Sequence, residues 1–157
     1  MAARYRLGLA RRAGNAVIRA LLAVGLGPRS TYLLGVTGRR SGAIRTTPVT
    51  LVEEGGLRWL VAPYGDVAWV RNLRALGTAT LARGGRTEPI TVREVSADEA
   101  APVLKLYVTR VPITRPYFDV TPVSDLDAFR EEAPRHPVFS IGGAAPTGRP
   151  MSGSRLT

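Results

Sequence analysis

The sequence contains no cysteine, a single histidine and no hydrophobic run long enough to cross a membrane. Without cysteine there are no disulfides, no thiolate nucleophile and no cysteine-bound zinc. The lone histidine, His136, excludes a histidine-rich metal site, and any Ser-His-Asp triad would depend on it although Pro137 follows directly. Residues 1–24 are interrupted by arginines, unlike the apolar centre of a signal peptide. These absences favour a cytoplasmic protein whose chemistry is supplied by a cofactor.

Acidic residues are missing from the first third of the chain. The protein has 157 residues and a formal net charge of +10, with no Asp or Glu before Glu53. The first third therefore attracts anions such as phosphate, polycarboxylate, nucleic acid or anionic lipid. Lysine is nearly absent from the whole chain: Lys105 is the only lysine among 22 basic residues. Arginine favours bidentate contacts with phosphate and carboxylate, although a GC-rich genome would produce the same bias.

The length predicts one domain, which we expect to cover residues 1–141. Apolar residues spaced by three and four predict an amphipathic helix within residues 1–25. That helix could cover one mouth of a barrel or make peripheral contact with an anionic membrane. Residues 142–157 are rich in Gly, Pro, Ser and Arg and are expected to be a disordered tail.

Six short runs between these ends have the pattern of β-strands. They cover residues 31–37, 46–53, 57–62, 78–83, 87–95 and 136–141. Pro48 indicates an edge or a bulge, because proline cannot donate a ladder hydrogen bond. Short helices are predicted over 67–76, 96–109 and 125–133, and a loop over 110–123. Sequential antiparallel strands with few helices predict a mainly β, α+β split barrel.

The most distinctive motif is a basic glycine turn, TGRRSGAIRTTPV at residues 37–49. Gly38 and Gly42 allow a tight turn and the close approach of a ligand. Backbone amides in such a turn can surround a phosphate together with nearby guanidinium and hydroxyl groups. The same pattern is also typical of a basic hairpin loop in solvent. The candidate phosphate ligands are Arg39, Arg40, Ser41 and Arg45.

A second motif consists of APYG at residues 62–65 followed by AWVRNL at residues 68–73. Trp69 and Asn72 are three residues apart, so they share one face of a helix. An indole that stacks and an amide that forms hydrogen bonds suit a flat heteroaromatic ligand. The alternative is a core tryptophan with Asn72 capping nearby backbone.

In this order, TGRRSGAIRTTPV, VAPYG and AWVRNL resemble the deazaflavin-dependent nitroreductase family over about residues 15–141. The resemblance implies a split β-barrel related to the FMN-binding oxidoreductases. It also implies coenzyme F420 rather than FMN as the cofactor, and reduction of quinones, nitro compounds or activated enones. The cofactor of this family carries a phosphate and an oligoglutamate tail, which suits a basic turn in an acid-free region.

The resemblance assigns site residues by position in the sequence. Arg39, Arg40 and Ser41 match the turn that holds the phosphate and the acidic tail, and Arg45 matches a second basic ligand. A cofactor-contacting strand corresponds to Thr46, Thr47, Pro48, Val49 and Thr50, and the segment approaching the ring to Ala62, Pro63, Tyr64 and Gly65. The wall around the ring corresponds to Ala68, Trp69, Val70, Arg71 and Asn72. Tyr117 best matches the substrate-side tyrosine, so Tyr117 and Tyr64 are the candidate proton or hydrogen-bond donors.

The sequence therefore predicts an F420-dependent oxidoreductase, monomeric or homodimeric, that passes hydride to a small hydrophobic electron acceptor. A non-catalytic protein that binds the deazaflavin or a lipid in the same barrel would share the motif, so this alternative stays open. Nucleic acid is not an expected partner despite the basic composition. Aromatic residues make up only 6% of the chain, and it has no zinc-finger or RNA-recognition motif.

Overall fold

The computed structural model describes residues 30–142, in which six antiparallel strands close into a barrel in the order β1-β2-β3-β6-β5-β4. The mainly β barrel predicted from the sequence is confirmed. The helix expected within residues 1–25 and the tail beyond Gly142 lie outside the described residues. The strands are β1 Thr31–Thr37, β2 Ile44–Glu54, β3 Leu57–Val61, β4 Thr78–Arg83, β5 Arg86–Glu94 and β6 Val138–Ile141. The helices are α1 Ala68–Leu76, α2 Ala97–Arg110 and α3 Leu126–Glu132, with 3₁₀ helices at Pro112–Tyr117 and Ala133–Arg135.

Several element boundaries differ from the prediction. β2 begins at Ile44, which pairs with Thr37, so the strand starts two residues before the predicted position and the basic turn is correspondingly shorter. The segment predicted as loop contains the 3₁₀ helix Pro112–Tyr117, because a proline at its first position is preorganised for helical backbone. β6 begins at Val138, two residues later than predicted, because His136 caps the 3₁₀ helix Ala133–Arg135 and ladder pairing with β3 begins only at Val138.

Pro48 lies in the half of β2 that has a paired neighbour on one side. It is opposite Leu33 of β1, whereas β2 pairs with β3 only over Leu51–Glu54. Proline, which has no amide proton, is tolerated where no second strand offers a carbonyl for its amide. The edge position predicted for Pro48 is therefore confirmed.

Two hydrophobic clusters stabilise the barrel from inside and outside. The barrel cluster fills the interior, and the helix cluster packs α2 and α3 against the outer faces of β3 and β6. Consecutive residues of a strand pack into different clusters, because successive side chains point to opposite faces. Leu60, for example, lies in the barrel cluster and Val61 in the helix cluster. Val70 and Leu73 of α1 belong to the barrel cluster, so α1 closes one end of the barrel.

The start of α2 forms half of a capping box between Ser96 and Glu99. The Ser96 side chain accepts a hydrogen bond from the Glu99 amide at 3.3 Å. The Glu99 carboxylate instead accepts a hydrogen bond from Trp59 Nε1 at 3.3 Å, which ties α2 to β3. No helix within the described range is both long and apolar enough to cross a membrane.

Candidate functional site

The basic turn between β1 and β2 is closed by its own backbone. The Gly38 amide donates to the Ala43 carbonyl at 2.7 Å, and the Gly42 amide donates to the Gly38 carbonyl at 2.9 Å. Gly42 has a φ of 74°, a conformation that a side chain would strain. The Ser41 hydroxyl accepts a hydrogen bond from the Ala43 amide at 3.1 Å. Ser41, a predicted phosphate ligand, therefore also stabilises the turn.

Asn72 of α1 holds this turn from the barrel side. Its Oδ1 accepts hydrogen bonds from the backbone amide of Arg39 at 3.1 Å and from Arg39 Nη1 at 2.7 Å. The Asn72 side chain is buried, so these bonds are strengthened by a low local dielectric. Asn72 thus contacts the backbone of the basic turn rather than that of its own helix. Its contact with a cofactor ring stays a prediction.

Arg40 and Arg45 are exposed, and within residues 30–142 neither has an acidic partner. Other arginines of the barrel are neutralised, as Arg58 is by Glu88 at 2.7 Å. Arg45 is opposite Val36 of β1, whose side chain lies in the barrel cluster, so it extends from the same face of the sheet at the barrel end. Two exposed guanidiniums beside turn amides suit a phosphate or a polycarboxylate.

The strand that follows the turn presents two different faces. Thr46 is exposed on the outer face, whereas Val49 is buried in the barrel cluster. Thr47 shares the inner face with Val49 by strand alternation, and Pro48 and Thr50 share the outer face with Thr46. The predicted cofactor contacts of residues 46–50 stay predictions, with Thr46 the most accessible of the five.

The segment Ala62–Gly65 is attached to the chain immediately before β6. The Ala62 amide donates to the Pro137 carbonyl at 2.9 Å, and the Gly65 amide closes a turn onto the Ala62 carbonyl at 3.3 Å. Gly65 has a φ of 85°, and a Cβ there would lie 3.3 Å from the Arg135 carbonyl oxygen. The backbone of this predicted ring-facing segment is therefore packed closely against residues 135–137.

The structure brings together the two candidate donors, Tyr64 and Tyr117. Their rings meet edge to face, with centroids 4.7 Å apart and planes at 79°. Tyr64 extends from the segment Ala62–Gly65, Tyr117 ends a 3₁₀ helix, and both are half-buried. Burial raises the pKa of the neighbouring Tyr107, although a hydrogen bond with Thr114 opposes the shift. The catalytic roles of Tyr64 and Tyr117 stay predictions.

The face of α1 has a mixed composition. Trp69 is half-buried against the barrel cluster, and Val70 is fully buried within it. Arg71 is exposed and its Nε lies 3.3 Å from Asp66 Oδ2, so this predicted ligand is engaged by a carboxylate. Ala68 is exposed at the start of the helix. The ring wall predicted from Trp69 and its neighbours stays a prediction.

A buried acid–base pair beneath the segment Ala62–Gly65 was missed by the sequence analysis. His136 Nε2 lies 2.7 Å from Glu132 Oε2, and the two residues are 4% and 1% exposed. Burial alone would raise the pKa of Glu132, but hydrogen bonds from Arg135, the Asp119 amide and His136 outweigh it and lower that pKa. Burial lowers the pKa of His136, while hydrogen bonds with Glu132 and the Pro63 carbonyl oppose that shift. The only sequence signal was the spacing of four residues.

Comparisons with known proteins find a matching family and several similar solved structures. The sequence profile of the F420H(2)-dependent quinone reductase family matches residues 10–121. The solved structure of an F420-H2 dependent reductase (FDR-A) is 29% identical with a TM-score of 0.53, covering 73% of this chain and 95% of that chain. A structure described as a domain-swapped dimer is 26% identical with a TM-score of 0.54, covering 85% and 96%. The heme storage protein HutZ from Vibrio cholerae shares the fold at 11% identity and a TM-score of 0.53, covering 83% and 90%. No curated protein matches the sequence.

Proposed function

Because the chain belongs to the F420H(2)-dependent quinone reductase family, we propose that its basic turn and α1 hold coenzyme F420 at the end of the barrel. The enzyme class predicted from the sequence, an F420H2-dependent oxidoreductase, follows from the family and from the reductase relative. The assignment of individual residues to the cofactor is our proposal. It is supported by the positions of Arg40, Arg45 and Asn72.

The observation that carries the proposal is the pair of exposed guanidiniums at the turn. Arg40 and Arg45 have no carboxylate partner anywhere in the described part of the chain. The basic turn is fixed to α1 through the hydrogen bonds between Arg39 and Asn72. The phosphate and oligoglutamate tail of F420 supply the negative charge that such a site lacks. The residues present therefore fit the cofactor.

When bound, F420H2 supplies a hydride to an electron-poor acceptor. The chain binds the charged end of the cofactor at Arg40 and Arg45 and orients it through the turn fixed by Asn72. The barrel cluster, with Trp69 packed against it, excludes water from one side of the cofactor site. These are the contributions expected of a protein whose cofactor carries the chemistry.

We assign Tyr64 and Tyr117 to the acceptor side of the site. Reduction of a quinone requires a proton as well as a hydride, because negative charge develops on the quinone oxygen. A tyrosine hydroxyl can donate a hydrogen bond to that oxygen. The edge-to-face contact restricts both rings, so either hydroxyl can be held in a fixed direction. Small quinones are the preferred acceptor class, with nitro compounds and activated enones to be compared against them.

A fluorescence titration tests the cofactor assignment. Oxidised F420 is added to the purified full-length protein, and FMN is titrated in parallel. We expect F420 to bind more tightly, because its acidic tail reaches arginines that a single phosphate leaves unused. Equal or tighter binding of FMN would contradict the assignment.

A further inference from the structure

We propose that His136 is a positioning residue of the reductase, because its Nδ1–H donates to the Pro63 carbonyl and fixes the backbone that carries Tyr64. Nδ1 lies 2.9 Å from the Pro63 oxygen. This inference rests on the proposed function, in which the segment Ala62–Gly65 borders the reaction site. It concerns a residue that has no place in the cofactor-binding motif.

The direction of the hydrogen bond is settled by its acceptor. A backbone carbonyl can only accept, so Nδ1 carries a proton, and the hydrogen bond between Nε2 and Glu132 Oε2 needs a second proton, because a carboxylate also only accepts. The imidazole is also stacked on Phe118, with centroids 3.9 Å apart and an interplanar angle of 20°. Two hydrogen bonds and one stacking contact therefore hold the ring in a single orientation.

Glu132 is the anchor of this arrangement. It is 1% exposed, and its Oε2 accepts from the Asp119 amide at 3.2 Å as well as facing His136 Nε2 at 2.7 Å. Its other oxygen pairs with Arg135. Burying such a pair is costly, and apolar side chains of similar size often give equal stability. What apolar side chains cannot do is direct an N–H group at one chosen carbonyl.

Loss of that N–H group would leave the Pro63 carbonyl without its partner and loosen the segment above it. Other restraints on this segment include the 2.9 Å bond from the Ala62 amide to Pro137 and the local turn at Gly65. Tyr64 would then be held less firmly at 4.7 Å from Tyr117. The basic turn is fixed separately through Asn72, so cofactor affinity should change little while turnover falls.

Two substitutions separate the two ring nitrogens. In His136→Asn the side-chain amide nitrogen can take the place of Nδ1, whereas in His136→Gln it can take the place of Nε2. Loss of the Pro63 bond in His136→Gln should lower kcat with F420H2 and a water-soluble benzoquinone by about tenfold, the effect of one buried hydrogen bond. His136→Asn should keep kcat within about threefold of the wild type, and F420 affinity should stay within about twofold in both variants. If His136→Gln retains as much kcat as His136→Asn, the proposal is wrong and the pair only stabilises the fold.

Amide hydrogen exchange gives a second readout that needs neither cofactor nor turnover. The Gly65 amide, bonded to the Ala62 carbonyl, should exchange faster in His136→Gln and at the wild-type rate in His136→Asn. The matched control is Glu131→Gln at the exposed neighbour of Glu132, which should change neither exchange nor kcat. Unchanged exchange in His136→Gln would overturn the inference. Failure of the proposed function would appear separately, as a wild-type protein that neither binds F420 nor oxidises F420H2.

Discussion

Asn72 and Arg39 are joined by two hydrogen bonds to a single oxygen, from the Arg39 backbone at 3.1 Å and from its guanidinium at 2.7 Å. The two residues are 33 positions apart in the sequence and belong to two different motifs. Since α1 also inserts Val70 and Leu73 into the barrel cluster, the basic turn is fixed to the protein core. The two motifs therefore act as one structural unit.

The first prediction tests this unit through Asn72→Ala. The variant leaves the Arg39 amide and guanidinium without their acceptor, so the turn should loosen and F420 affinity should fall by about 1.5–3 kcal/mol, the range for hydrogen bonds to charged groups. Affinity is measured by fluorescence titration and folding by thermal melting. Leu76→Ala, an exposed change on the same helix, is the control and should bind normally. Normal affinity in a folded Asn72→Ala variant would show that the turn does not depend on α1.

The second prediction compares two exposed arginines at opposite ends of the barrel. Arg45 follows the basic turn, whereas Arg86 begins β5 and pairs with Arg83, whose guanidinium donates to the Thr31 carbonyl at the start of β1. Arg45→Ala should weaken F420 binding by roughly tenfold to a hundredfold, and Arg86→Ala should not. Raising the salt concentration should weaken wild-type binding as well. Equal losses in the two variants would mean that only general positive charge attracts the cofactor.

The third prediction concerns the environment of Trp69. Trp59 packs against the helix cluster and donates to Glu99, so Trp59→Phe gives a background in which Trp69 emission is observed alone. If Trp69 forms the predicted ring wall, saturating F420 should quench this emission strongly, because the two ring systems would be in contact. Unchanged emission would assign Trp69 to the barrel core alone.

The fourth prediction follows from the lowered pKa of Glu132. Below its ordinary pKa of 4.5 the unfolded chain binds a proton that the folded protein resists, so the free energy of unfolding should decrease as the pH falls through this range. Urea unfolding between about pH 3 and pH 6 measures the slope. Glu132→Gln should flatten the slope without removing it, since hydrogen bonding to Arg58 also lowers the pKa of Glu88. Glu131→Gln should keep the wild-type slope, and a Glu132→Gln variant with that same slope would contradict the assignment.

The barrel could be predicted because its information is local. Alternating strands and glycine turns identify the elements, and the missing amide of Pro48 identifies an edge. The basic turn was equally visible as a motif. The bond between Asn72 and Arg39 was not, because a spacing of three residues defines the face of a helix but not what lies opposite.

His136 shows the limit of the sequence more clearly. The sequence identified His136 only as the histidine that any Ser-His-Asp triad would have to use, and it indicated no other role. That role depends on how α3, the segment Ala62–Gly65 and β6 pack together. The predicted tail, oligomeric state, cytoplasmic location and membrane contact of residues 1–25 stay predictions. These properties depend on contacts with other molecules or on residues outside 30–142.

The most direct test of the account is an anaerobic turnover measurement with F420H2, a small quinone and the full-length protein, following the return of oxidised F420 absorbance. Nitroaromatic and enone acceptors are run in parallel. We predict oxidation that depends on the protein, saturates with the quinone and requires a higher F420H2 concentration in Arg45→Ala. Tight F420 binding without protein-dependent oxidation by any of these acceptors would contradict the account and identify a non-catalytic binding protein.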